Sequence, residues 1–211
     1  MQSEFKYARK LPAPLLVALS IFGYVLLAIF FPLIPNHDRR PTLDIQSFAP
    51  SLFDALLYGL LLLSLFALYA ALYRRVSGSW KLSLGRVAGI TLAMGIPLLF
   101  IYPINANDVY RYVLRGIISS ELDGNPYENP PVDFEGVIDP AFGGEWADTV
   151  SPYGPLWELG ASLLTSIGQE NLLLNLILFK LLGLLSSIAA GIFLWKILGL
   201  RTEAGGRGSN R

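Results

Sequence analysis

Residues 13–34 run for 22 positions without a charge. A helix needs about 20 mostly apolar residues to cross a bilayer. Three comparable runs follow at 55–73, 87–104 and 172–200, the last interrupted by Lys180 and Lys196. A small soluble globule has too little interior to hide four such stretches. Only 15% of residues are charged, against about 25% in an average soluble domain. Lipid is therefore the solvent for much of the chain, and the predicted fold class is an all-α membrane protein with four transmembrane helices. Pro97 falls inside the third, where a membrane helix tolerates a kink. The first run is too long for a signal-peptide core, and no small-residue cleavage site follows it at Pro35–Asn36–His37, so it reads as a retained anchor.

Charge excludes several functions and sets an orientation. Lys plus Arg and Asp plus Glu both number 16, which removes the basic excess of a nucleic-acid partner. There is no Cys, so disulfides, thiol catalysis and Cys-based metal sites are excluded. The lone His37 excludes two-histidine zinc hydrolases. Lys6, Arg9 and Lys10, then Arg74, Arg75, Lys81 and Arg86, then Arg201, Arg207 and Arg211 mark three cytoplasmic segments. Both termini are thus expected in the cytoplasm of a multi-pass protein of the cytoplasmic membrane. The outer side receives residues 35–54 and the long loop 103–153. Within 103–150 lie nine acids, set against Arg111 and Arg115 alone.

That loop is too long and too aromatic to be a plain connection. Asn107 or Asp108 can cap a short helix through about residue 120. Leu156, Leu159, Leu163 and Leu164 predict a second short helix over about 155–167, lying along the membrane interface. On the first, Asp108, Arg111, Tyr112 and Arg115 share a face. A carboxylate there can act as a general base, and guanidinium forks suit phosphate oxygens. The same residues also suit a helix cap, a surface ion pair and contacts to anionic headgroups. Lys180 is a charge inside an apolar run, either functional or snorkelling to the surface.

The stretch NDVYRYVLRGIISSELDGNPYENPP at 107–131, followed by SPYGPLWEL at 151–159, resembles the outer-loop signature of GT-C membrane glycosyltransferases. The likeness is to polyprenol-phosphate-mannose-dependent mannosyltransferases, and it covers roughly residues 87–170. The resemblance implies an inverting transfer of a sugar, mannose, from a polyprenyl-phosphate donor to a glycan or lipid-linked acceptor outside the cell membrane. It implies Asp108 as the general base, with Tyr112, Arg115 and Gly116 following in the same helix. Asn125 and Tyr127 match an NPY element, and Tyr153 a tyrosine–proline element. Arg111 and Arg115 are assigned to the donor phosphate by charge, and Lys180 joins the substrate-binding set. No metal or soluble cofactor is implied. The family has eight or more spans, so 1–211 reads as a single integral membrane domain forming the N-terminal part of a larger enzyme, with a C-terminal half as partner. The alternative is a non-catalytic membrane subunit or glycan-binding scaffold.

Overall fold

A computed structural model describes residues 11–39, 51–76, 83–104 and 108–208. Asn107, Lys6, Arg9, Lys10, Lys81 and Arg211 lie outside the described residues. Among the described residues, six α-helices carry the fold: α1 (Ala13–Phe30), α2 (Leu52–Val76), α3 (Leu84–Leu99), α4 (Asp108–Ser120), α5 (Pro155–Gly168) and α6 (Leu172–Gly208). Short 3-10 turns occupy Ile34–Asn36, Pro131–Phe134 and Pro140–Trp146. Among the described residues there is no β-strand, only isolated bridges such as Pro32 with Ile101.

Among the described residues, three helices are long and apolar enough to cross a membrane: Ala13–Phe30, Leu52–Arg75 and Leu172–Ile197. The fourth expected span is α3, of 16 residues. At 1.5 Å per residue it reaches about 24 Å, short of the roughly 30 Å hydrocarbon layer. The apolar run continues to residue 104, but the helix stops at Leu99. Residues beyond it pair with another segment instead: Leu33 N donates to Phe100 O at 2.7 Å, and Tyr102 N to Phe31 O at 2.9 Å. The ends of α2 obey local rules. Ser51 Oγ accepts from Asp54 N at 3.1 Å, capping the first turn. Arg74 and Arg75 sit in the last turn, where cations suit the helix dipole.

The chain forms two compact units. One contains α1 through Leu27, Leu60–Leu98, and α6 from Leu182. In it, small residues let helices approach closely. A Cβ on Gly23 would come within 2.9 Å of Leu65, and one on Gly95 within 2.2 Å of Leu184. The small positions Ser186, Ser187, Ala189 and Ala190 of α6 are exposed, while Gly191 faces Val87.

The other unit contains Ala28–Gly59 and Leu99–Leu181. Its core is the apolar face of α4, with Tyr110, Val113, Leu114, Ile117 and Ile118 all buried. Helix α5 packs on α4 through Ala161 and Thr165, both buried. Pro155 opens α5 at the one turn where a missing N–H costs nothing. The two short helices thus match the predicted ranges, 108–120 and 155–167. The leucines of α5 turn away from α4: Leu156 is 85% exposed, with Leu159, Leu163 and Ile167 exposed along the same stripe.

Candidate active site

Asp108 opens α4 with its side chain 47% exposed. One turn later, Arg111 Nη1 meets Asp108 Oδ1 at 2.7 Å. The Arg111 side chain is only 14% exposed. Its Nε donates to Gly143 O at 3.2 Å, and its guanidinium lies 5.5 Å from the centroid of the Trp146 ring. One arginine therefore ties the Asp108 carboxylate to the Pro140–Trp146 turn. That turn has its own brace: Asp139 Oδ1 accepts from Ala141 N at 2.9 Å, and Ala147 O accepts from Val132 N at 3.1 Å.

Arg115 sits differently from the expected donor-phosphate contact. It is 3% exposed. Its Nη2 donates to Thr149 O and Val150 O at 3.5 and 3.4 Å, and its guanidinium lies 5.7 Å from the Tyr153 ring centroid. Burial pulls its pKa below the usual arginine value, and the nearby Glu158 carboxylate opposes the shift. Glu158 is itself buried and accepts a hydrogen bond from the Ser151 hydroxyl. Arg115 Nε, Glu158 Oε2 and Trp157 Nε1 are buried with no hydrogen-bond partner. Most buried polar atoms find one, so this is a costly piece of interior.

Tyr112 joins an aromatic cluster, with ring centroids 5.3 Å from Tyr153, 4.8 Å from Trp157 and 6.0 Å from Phe179. Burial, then the hydrogen bond with Tyr153, pushes its hydroxyl well above the usual tyrosine pKa. It stays a neutral hydroxyl. Tyr110, fully buried, donates to His37 O at 3.3 Å and stacks on Phe142.

The NPY element is a turn. Asn125 Oδ1 accepts from Tyr127 N at 3.1 Å, a local bond that Asn makes readily. Pro126 O accepts from Ser151 N at 2.7 Å, which fastens this turn to the segment leading into α5. Both Asn125 and Tyr127 are exposed. Lys180 of α6 donates to Ile101 O, a carbonyl beyond the end of α3.

Of the predicted residues, the structure thus joins Asp108 with Arg111, and Tyr112 and Arg115 with Tyr153. Asn125 and Tyr127 bond within their own turn, and Lys180 serves a separate backbone carbonyl. Glu158, Ser151 and Trp146 were missed. Glu158 carried a usable signal, as the one charge in the apolar stretch 154–167. Among the described residues no group of three or more His, Cys, Asp or Glu could hold a metal.

Helices of membrane length, with a second compact unit that presents a braced aspartate, define a multi-pass membrane protein. The family described as alpha-(1->6)-mannopyranosyltransferase, N-terminal domain, matches residues 15–207. The chain belongs to that family, in accord with the resemblance carried by its loop motifs. It is also similar to alpha-(1->6)-mannopyranosyltransferase A of Corynebacterium glutamicum, with 28% identity over 123 residues. That stretch is 58% of this chain and 24% of the relative, so the chain matches about a quarter of the relative's length. No solved structure matches it.

Proposed function

We propose that this chain is the N-terminal part of a membrane mannosyltransferase that uses a polyprenyl-phosphate-mannose donor. The acceptor hydroxyl attacks the anomeric carbon from the face opposite the phosphate. Asp108 takes the hydroxyl proton, the C1–O bond to phosphate breaks, and polyprenyl phosphate leaves with the electron pair. The configuration inverts, and no metal or soluble cofactor is required. The observation that carries this reading is the half-exposed Asp108 carboxylate held by Arg111 at 2.7 Å. A general base needs a fixed position and an open face, and this residue has both.

Arg111 takes the role of phosphate contact, through the donors left over from its bonds to Asp108 and Gly143. Arg115 acts as an interior brace for the segment that carries Tyr153. Asn125, Tyr127 and Lys180 fit the substrate-binding role less directly, since their bonds are to their own turn or to Ile101. In membranes carrying the chain in its longer protein context, mannose should pass to an α-mannoside acceptor from a polyprenyl-phosphate donor. Nucleotide-activated mannose should not replace that donor. Direct transfer from the nucleotide donor in lipid-free assays would refute the reading.

The loop 103–153 faces the extracytoplasmic side in this proposal, with both termini in the cytoplasm. Residues 1–211 hold no Cys, so no native thiol within this chain competes with an introduced one. Asp148 and Arg75 are both exposed. Asp148→Cys should react with a membrane-impermeant thiol reagent in intact cells, and Arg75→Cys only after permeabilisation. The reverse pattern would invert the topology.

A further inference from the structure

Trp146 is 46% exposed, and it is not on a floppy loop. The preceding Gly144 has φ 60 and ψ −138, backbone angles open to essentially no residue but glycine. The turn is closed by Ala147 N donating to Gly144 O at 3.3 Å. The indole N–H donates to Glu145 Oε1 at 3.1 Å, and Arg111 stands over the ring. A constrained backbone and two side-chain contacts therefore hold a large apolar ring half out of its surroundings. Arg111 touches both this indole and Asp108, so carboxylate and ring centroid lie within roughly 10 Å, counting a guanidinium's own bond lengths.

We propose that Trp146 and Glu145 form the acceptor-sugar subsite of this chain, taking a neutral hexopyranose. The apolar C–H face of the sugar lies on the indole, whose electron-rich face attracts the weakly positive C–H edge. Glu145 accepts from a ring hydroxyl. The hydroxyl to be glycosylated then projects towards Asp108. The Arg111 charge over the ring is already paired with Asp108, and the remaining Glu145 carboxylate on the indole N–H disfavours an anionic lipid headgroup as the occupant. The subsite rests on the mannosyltransferase reading, because it places the acceptor next to the proposed base.

The test is titration of the protein, purified in its longer context and placed in nanodiscs, with α-1,6-linked mannobiose, followed by saturation-transfer NMR. Wild type should transfer saturation to the C–H protons of one mannose face. Trp146→Ala should weaken binding about tenfold or more, with Trp146→Phe recovering most of the loss and Glu145→Gln weakening it less. Asp108→Asn, whose amide still hydrogen-bonds, should bind the disaccharide while losing transfer. Failure of the base assignment, with Asp108→Asn still active, would leave these binding results intact. Equal binding by Trp146→Ala and wild type would overturn the subsite, as would no binding by wild type. A fluorophore on Trp146→Cys should report a water-exposed position. Quenching by brominated lipid instead would make this an interfacial tryptophan and overturn the proposal.

Discussion

Asp108→Asn should remove sugar transfer and leave the folded chain almost unchanged. The amide has the shape of the carboxylate, and its oxygen can still accept from Arg111 Nη1, now 2.7 Å away. What it cannot do is take a proton. General-base catalysis contributes about 10²–10⁴-fold, which corresponds to roughly 3–5 kcal/mol of barrier. The stability change is far smaller. With the Asp108 side chain 47% exposed, its ion pair lies in the class worth about 0–1 kcal/mol. An acid in the first turn of a helix adds about 0.3–1 kcal/mol through the dipole. Transfer rate and thermal midpoint therefore separate the two effects. The rate should fall by at least about a hundredfold in the longer protein context, while the midpoint moves by only a few degrees. Undiminished transfer would remove Asp108 from the chemistry. A collapse of the midpoint would turn it into a structural residue.

The two short helices were legible because their signals are local. Asp108 can cap a helix start, and Leu156, Leu159, Leu163 and Leu164 recur at helical spacing. The seat of Arg115 was not legible. It lies seven residues after Asp108, so periodicity places both on one stripe. The stripe is open only at its first turn. Further along, residues 149–153 lie against the guanidinium and accept its hydrogen bonds, a long-range cover that no local pattern encodes. The end of α3 was hidden for the same reason. The apolar run reaches residue 104, yet residues 100–102 bond to 31–33 instead of extending the helix. Lys180 stands out in the sequence as a charge inside an apolar run, but the Ile101 carbonyl that it bonds is 79 positions away. Glu158 was available to the rule that flagged Lys180, and it sits in the interior beside Arg115.

Gly116→Leu should separate α4 from α5 and unfold the unit that carries the site. A Cβ added to Gly116 would lie 2.6 Å from Thr165 Cγ2 and 2.8 Å from Ala161 O. The threonine methyl could turn away, but the carbonyl belongs to the backbone of α5 and can move only with the helix. Thr165 is also held, since its Oγ1 bonds to Ala161 O at 3.0 Å and pairs with Ser120 Oγ at 2.9 Å. Two effects compete. Replacing a helical glycine with a better helix former contributes about 1 kcal/mol in favour of folding. Overpacking a tight contact costs about 1–3 kcal/mol even for small insertions. Gly116→Ala should therefore be destabilising by up to about 2 kcal/mol, and leucine, with three further carbons at the same spot, by clearly more. Because the α4–α5 contact helps fix the helix that starts at Asp108, transfer should fall together with stability in both variants. That coupling separates them from Asp108→Asn, in which activity falls alone. A thermal midpoint for Gly116→Leu equal to wild type would show that the two helices do not depend on this close approach, and that the position of Asp108 is set by the Arg111 brace alone.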